Sequence, residues 1–182
     1  MHTEVHVHGD ISLKRGAGSV EIEQALRPWL EYVDVDSLAE ATSAREEEPG
    51  VALDLRKRLL QICWTGWVGR NFHQALEAAL SALCEFTDAA TAIEVTYYQE
   101  DGRDEFGVVF VGPDPLTIER ARRQRMIDDV AVLLARQFGD QEVSQVSALI
   151  ERLFDEQAVR EQDPANATAA IRGPVPGRKH LH

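Results

Sequence analysis

Cysteine is scarce in this 182-residue chain: Cys63 and Cys84 are the whole complement. Two thiols cannot build a disulfide framework, and their separation is not the C-x-x-C spacing of a zinc ribbon or a redox motif. Both sit in apolar runs and read as inert core thiols. Long hydrophobic runs are missing as well. The longest stretch without a charged residue, residues 59–69, is eleven positions, well short of the roughly 20 that cross a bilayer, so no membrane span is expected. The N-terminus has neither a basic region nor an apolar signal core, which points to a cytoplasmic protein. Lysine is rare, 3 against 16 arginines, a coding bias of GC-rich bacterial or phage genomes that carries no mechanism.

Positive charge is also short. Lysine and arginine total 19 against 31 acidic residues, a formal net charge of -12. Such a field repels phosphates over a Debye length of about 8–10 Å, which excludes nucleic acid and anionic membranes as default partners. Proteins and metal cations remain. No complete catalytic or nucleotide-binding motif is present. G-W-V-G-R-N at residues 66–71 matches neither G-x-x-x-x-G-K-[ST] nor G-x-G-x-x-G and reads as a tight strand-to-helix turn. No Ser, Cys or Thr has a His and a carboxylate at a spacing that suggests a triad.

What is present is an ordinary globular composition, 44% hydrophobic and 27% charged, enough for one packed domain and a tail. Residues 4–14 alternate, with Val5, Val7, Ile11 and Leu13 on one side and Glu4, His6, His8, Asp10 and Ser12 on the other, the period of a half-buried strand. After Gly16 and Gly18, Ser19 is a helix cap, and Ile22, Leu26, Trp29, Leu30 and Val33 recur at helical spacing. Pro28 predicts a kink or an early stop near residues 24–28. Residues 38–48 read as a short strand leading into a Pro49-Gly50 turn. Beyond it, Val51, Leu53 and Leu55 have one parity and Leu60, Ile62 and Trp64 the other, which a bulge within residues 56–59 reconciles. Asn71 then caps a helix with Phe72, Leu76, Ala79, Leu80 and Leu83 as its buried stripe.

Asp101-Gly102 suggests a two-residue type I′ hairpin, which pairs Ile93 with Phe110, Val95 with Val108 and Tyr97 with Phe106 on a buried face. Asp114-Pro115 opens a helix with Met126, Ile127, Val130, Leu133, Leu134 and Phe138 on its apolar side. Gly139 ends it, and Asp140 caps another carrying Val143, Val146, Ile150 and Leu153 at the spacing of a packing seam. The order strand, helix, strand, strand, helix, strand predicts an α+β, ferredoxin-like antiparallel sheet with one added hairpin strand over residues 1–112. A two-helix hairpin packed on it covers residues 113–160, and residues 161–182 form a disordered tail.

Three features carry candidate chemistry. His6 and His8, two apart on one strand, point the same way and can chelate a divalent transition metal, with Glu94 of a neighbouring strand as third ligand. The plainer alternative is the polar side of a solvated strand. Trp64 and Trp67 suit ligand stacking or, more simply, core packing. Arg120, Arg122, Arg123 and Arg125 scatter around a helix without forming one stripe. These features rank a non-enzymatic protein-interaction or regulatory module first, with a protein partner or a homodimer and no cofactor. Its surface is the open sheet face bearing His6, His8, Glu94, Tyr98 and Val109. A metal-binding protein or small metal-dependent enzyme using His6 and His8 is the alternative. Deletion after Arg160 is expected to leave the melting temperature unchanged in a thermal melt, because the tail offers few apolar groups to offset an ordering cost of roughly 1–2 kcal/mol per residue; a large drop shows that it docks.

Overall fold

A computed structural model describes residues 2–162, with side chains through Arg160; the first two positions of the expected tail, 161 and 162, belong to a helix, and the rest of it lies outside the described residues. Five strands form one antiparallel sheet in the order β2-β3-β1-β4-β5: β1 (Thr3–Ser12), β2 (Gly50–Asp54), β3 (Leu59–Val68), β4 (Thr91–Tyr98) and β5 (Glu105–Val111). Helices α1 (Ser19–Ala25) and α2 (Arg27–Tyr32) follow β1, and α3 (Phe72–Leu83) follows β3. The fold is α+β. Among the described residues no helix is long and apolar enough to cross a membrane.

The alternation of β1 sets the layers. Val5, Val7, Ile11 and Leu13 are buried together with Leu60, Ile62, Trp64 and Val68 of β3 and Ile93 and Val95 of β4, against Ile22, Leu26, Trp29, Leu30, Phe72, Leu76 and Leu80 of the helices. Trp64 stacks on Phe72 at 5.8 Å and stands edge-on to Trp29, arrangements the aromatic quadrupole favours. Pro28 separates α1 from α2 at Leu26, as its missing donor requires. The stripe expected of α3 is buried at all five positions.

Three expectations are corrected. Residues 38–48 are not a strand: only Leu38–Glu40 form a 3-10 turn, and the following loop runs to Gly50. Residues 51–64 are not one bulged strand but a hairpin, β2 to β3, pairing Val51 with Ile62 and Leu53 with Leu60. Its turn is built by Asp54, whose carboxylate accepts from the amides of Arg56 and Lys57, and by Arg58 at φ +54°. The parity change came from a turn, which a bulge imitates in sequence. Thirdly, β4 and β5 pair one residue away from the expected register, Ile93 with Val109, Val95 with Gly107 and Tyr97 with Glu105. Asp101 does not adopt the positive φ that a type I′ turn demands; Gly102 alone does in this loop. The Asp104 carboxylate instead accepts from the Gln99 amide, and the loop spans residues 99–104. Ile93 and Val95 stay buried, but Phe106, Val108 and Phe110 turn to the opposite face.

The chain divides into two compact units, residues 1–122 and 123–182, with the boundary inside α4 (Pro115–Leu134). Asp114 caps α4 through the Thr117 amide and hydroxyl. In the second unit α5 (Asp140–Gln162) follows, and the Arg123 guanidinium lies over the Phe154 ring at 5.3 Å. The seam expected along α5 is only partly closed, with Val143 and Ile150 half-buried and Val146 and Leu153 exposed.

Gly50 has φ +73°, and a Cβ there would meet the Ala41 carbonyl oxygen at 2.4 Å. Gly102 has φ +74° with open space around it. Both alanine substitutions are expected to cost ~1–3 kcal/mol from backbone strain, and Gly50→Ala more than Gly102→Ala in urea denaturation. Equal costs would contradict the close packing of residues 41–42 over Gly50.

Candidate functional site

The face of the sheet opposite the helices forms a grid. Pairing aligns Cys63, His8, Glu94 and Val108 in one row across β3, β1, β4 and β5, and Thr65, His6, Thr96 and Phe106 in the next. His6 and His8 thus share this face, as their spacing predicts, with rings 6.0 Å apart and nearly parallel at 11°. Glu94 stands directly across from His8 on the β4 side. On the β3 side, the Cys63 sulfur and one ring nitrogen each of His6 and His8 lie within 4.8 Å of one another.

Cys63 corrects the reading of both cysteines as core thiols. It shares the parity of Thr65 and Trp67, opposite to the buried Leu60, Ile62 and Trp64, and that parity was the available signal. Burial pushes its thiol up, and the negative charges of Glu48 and Asp10 add to the shift. Cys84 instead directs its sulfur at the Leu80 carbonyl and packs against the core.

A second cluster holds His6. β2 stops pairing at Gly50 opposite Cys63, so the edge of β3 beyond it needs other partners. The loop before β2 supplies them: the Ala44 amide donates to the Thr65 carbonyl (2.8 Å), and the Thr65 amide donates to Ser43 Oγ (2.9 Å). Ser43 Oγ and Thr65 Oγ1 both donate to Glu48 Oε2, at 2.6 and 2.8 Å. Thr65 is 1% exposed. Its one hydroxyl proton goes to Glu48, so the 2.9 Å contact with His6 runs from Nδ1–H of the imidazole to Thr65 Oγ1. Nε2 then carries the lone pair. Burial opposes ionisation of Glu48, but the hydroxyls of Ser43 and Thr65, with the Arg45 guanidinium beside them, outweigh it and hold the carboxyl below its usual range. Nothing in the local sequence around Ser43 and Glu48 announces this role.

The remaining candidates separate. Tyr98 is on the open face under the Arg45 guanidinium, 5.5 Å from its ring, while Arg45 bridges to Glu4 at 2.9 Å. Val109 is not an open-face residue: the shifted register places it opposite Ile93, packed against the core. Trp64 is core, whereas Trp67 is 67% exposed on the open face. Of the arginines, Arg122 lies over Phe110 at 5.5 Å and Arg125 pairs with Asp129.

A protein family matches the chain over residues 3–155, a span that includes the whole sheet and every residue of both clusters. The chain belongs to the family of unknown function DUF6806. No curated protein and no solved structure matches it. Membership therefore supplies no activity, and the functional reading rests on the geometry.

Thr65→Val removes the hydroxyl from a buried position and leaves Glu48 and His6 Nδ1 without their shared partner. It is expected to cost about 1–3 kcal/mol in urea denaturation, with Thr65→Ser close to wild type. A Val variant as stable as wild type would show that the bonds around Thr65 do not hold the loop.

Proposed function

We propose that this DUF6806 protein is a protein-interaction module, and that its partner is a second copy of itself. Its sheet, read β4-β1-β3-β2 with helices after β1 and β3, supports a ferredoxin-like arrangement extended by β5. The observation that carries the interaction reading is the apolar end of the open face. Phe106 is 80% and Val108 41% exposed, and both sit on β5, the last strand of the sheet.

An edge strand carries backbone donors and acceptors that pair readily with another strand, and monomeric proteins usually blunt such edges with lysine, proline or bulges. β5 reads EFGVVFV, with one charge at its first position. Among the described residues β5 makes no backbone-to-backbone hydrogen bond beyond its ladder with β4. In a chain of net charge -12, this nearly uncharged strand is where two copies approach with least repulsion. Antiparallel pairing of β5 with its counterpart makes a self-complementary, two-fold contact, and Phe106 and Val108 add apolar area to it.

Sedimentation of the full-length chain is expected to show a dimer at micromolar concentration. Val108→Lys, a substitution on the solvent side of the strand, is expected to give a folded monomer. A wild-type chain that stays monomeric up to about 0.1 mM, an affinity threshold near 5–6 kcal/mol, would overturn the reading.

A further inference from the structure

We propose that His6, His8 and Cys63 form a three-ligand centre for a soft divalent transition-metal ion, zinc in the first place, with a fourth position left open toward solvent. The proposal does not depend on self-association through β5.

Three independent features meet at this point. The first is the donor set. Two imidazoles and one thiolate suit zinc and its neighbours, whereas calcium and magnesium take oxygen ligands. The second is placement. The ligands stand on adjacent strands of a hydrogen-bonded sheet, His6 and His8 on one face of β1 and Cys63 directly across from His8. Tetrahedral zinc with bonds of roughly 2.0–2.3 Å sets its ligand atoms roughly 3.3–3.7 Å apart. Donors within 4.8 Å of one another stand a little outside that spacing, and in the proposed site the exposed His8 ring and the Cys63 thiol rotate inward while His6 keeps its bond to Thr65.

The third feature is the group behind His6. A metal-ligating histidine characteristically donates its other ring N–H to a carboxylate or carbonyl, which fixes the tautomer and makes the ligating nitrogen more basic. His6 Nδ1 meets Thr65 Oγ1 at 2.9 Å and Glu48 Oε1 at 3.5 Å, and Thr65 itself donates to Glu48. That chain presents Nε2 with a free lone pair. The surroundings are acidic as well: Glu94 faces His8 across β4, and Asp10 continues the polar face of β1. A cation is favoured in such a field. Three protein ligands with an open fourth position are the arrangement of zinc sites that bind water or a substrate, as opposed to closed structural sites.

The test uses untagged, full-length protein titrated with cobalt(II), a spectroscopic stand-in for zinc. The chain has further histidines, His180 and His182 among them, so the readout is the sulfur-to-cobalt charge-transfer absorption, which histidine alone cannot produce. One equivalent of cobalt is expected to give this band, zinc to abolish it by displacement, Cys63→Ser to lose it and Cys84→Ser to keep it. In wild-type protein zinc is expected to shield Cys63 from alkylation, a reading that needs no variant. Glu48→Gln is expected to weaken cobalt binding by about 10–100-fold, and unchanged binding would remove Glu48 from its orienting role. Absence of the band, or its survival in Cys63→Ser, overturns the metal centre.

Discussion

The central strand β1 is the constraint on which the rest of the molecule rests. It is hydrogen-bonded along both edges, to β3 over ten residues and to β4 over five, so its side chains have only two directions available. One direction is filled by valine, isoleucine and leucine packed on three helices. A one-residue slip would exchange those for His6 and His8 and leave the core without its centre. Gly9 fits the same logic: on the covered side a Cβ there would meet the Ile93 side chain at 2.6 Å. The hydrophobic effect on one face therefore fixes the position of the two imidazoles on the other.

The polar face is organised where the sheet runs out of strand. β2 is half the length of β3, and the amide and carbonyl of Thr65 are satisfied by Ser43 and Ala44 instead of a ladder. Closing that edge brings Glu48 to the open face, where its carboxylate accepts from the two hydroxyls and lies 3.5 Å from the His6 imidazole. A structural need, the pairing of buried backbone groups, thus builds the device that orients His6. At the opposite end of the sheet, among the described residues, β5 has no comparable backbone partner on its outer side, and the proposed self-association rests on that unmet pairing. The two halves of the open face differ because one edge is closed from within the chain.

Local sequence carried much of this architecture. The alternation of residues 4–14, the Pro28 break, the apolar stripe of α3 and the Asp114-Pro115 start are all decided within a few residues, by side-chain period, a missing donor and a cap. The shared face of His6 and His8 follows from the same period of two. Where local signals were ambiguous, they misled. In β5 both parities are largely apolar, Phe106, Val108 and Phe110 against Val109 and Val111, so the pattern could not choose a register. Asp101-Gly102 suggested one, and the structure adopts another in which Val109 and Val111 reach the core and side-chain carboxylates take over the turn.

By itself, then, the sequence determined the α+β class, the central strand and the two histidines on its polar face, because each depends on neighbours within one turn or one pleat. Only the tertiary structure decided the register of β5, the hairpin between β2 and β3, and the company that the histidines keep. His6 bonds to Thr65, 59 residues away, and Thr65 to Glu48, 17 residues away. Cys63 meets His8 only because β3 lies beside β1 in antiparallel register. Contacts across such separations are set by which strands pair and how a loop closes an edge, and periodicity read along the chain holds no record of either.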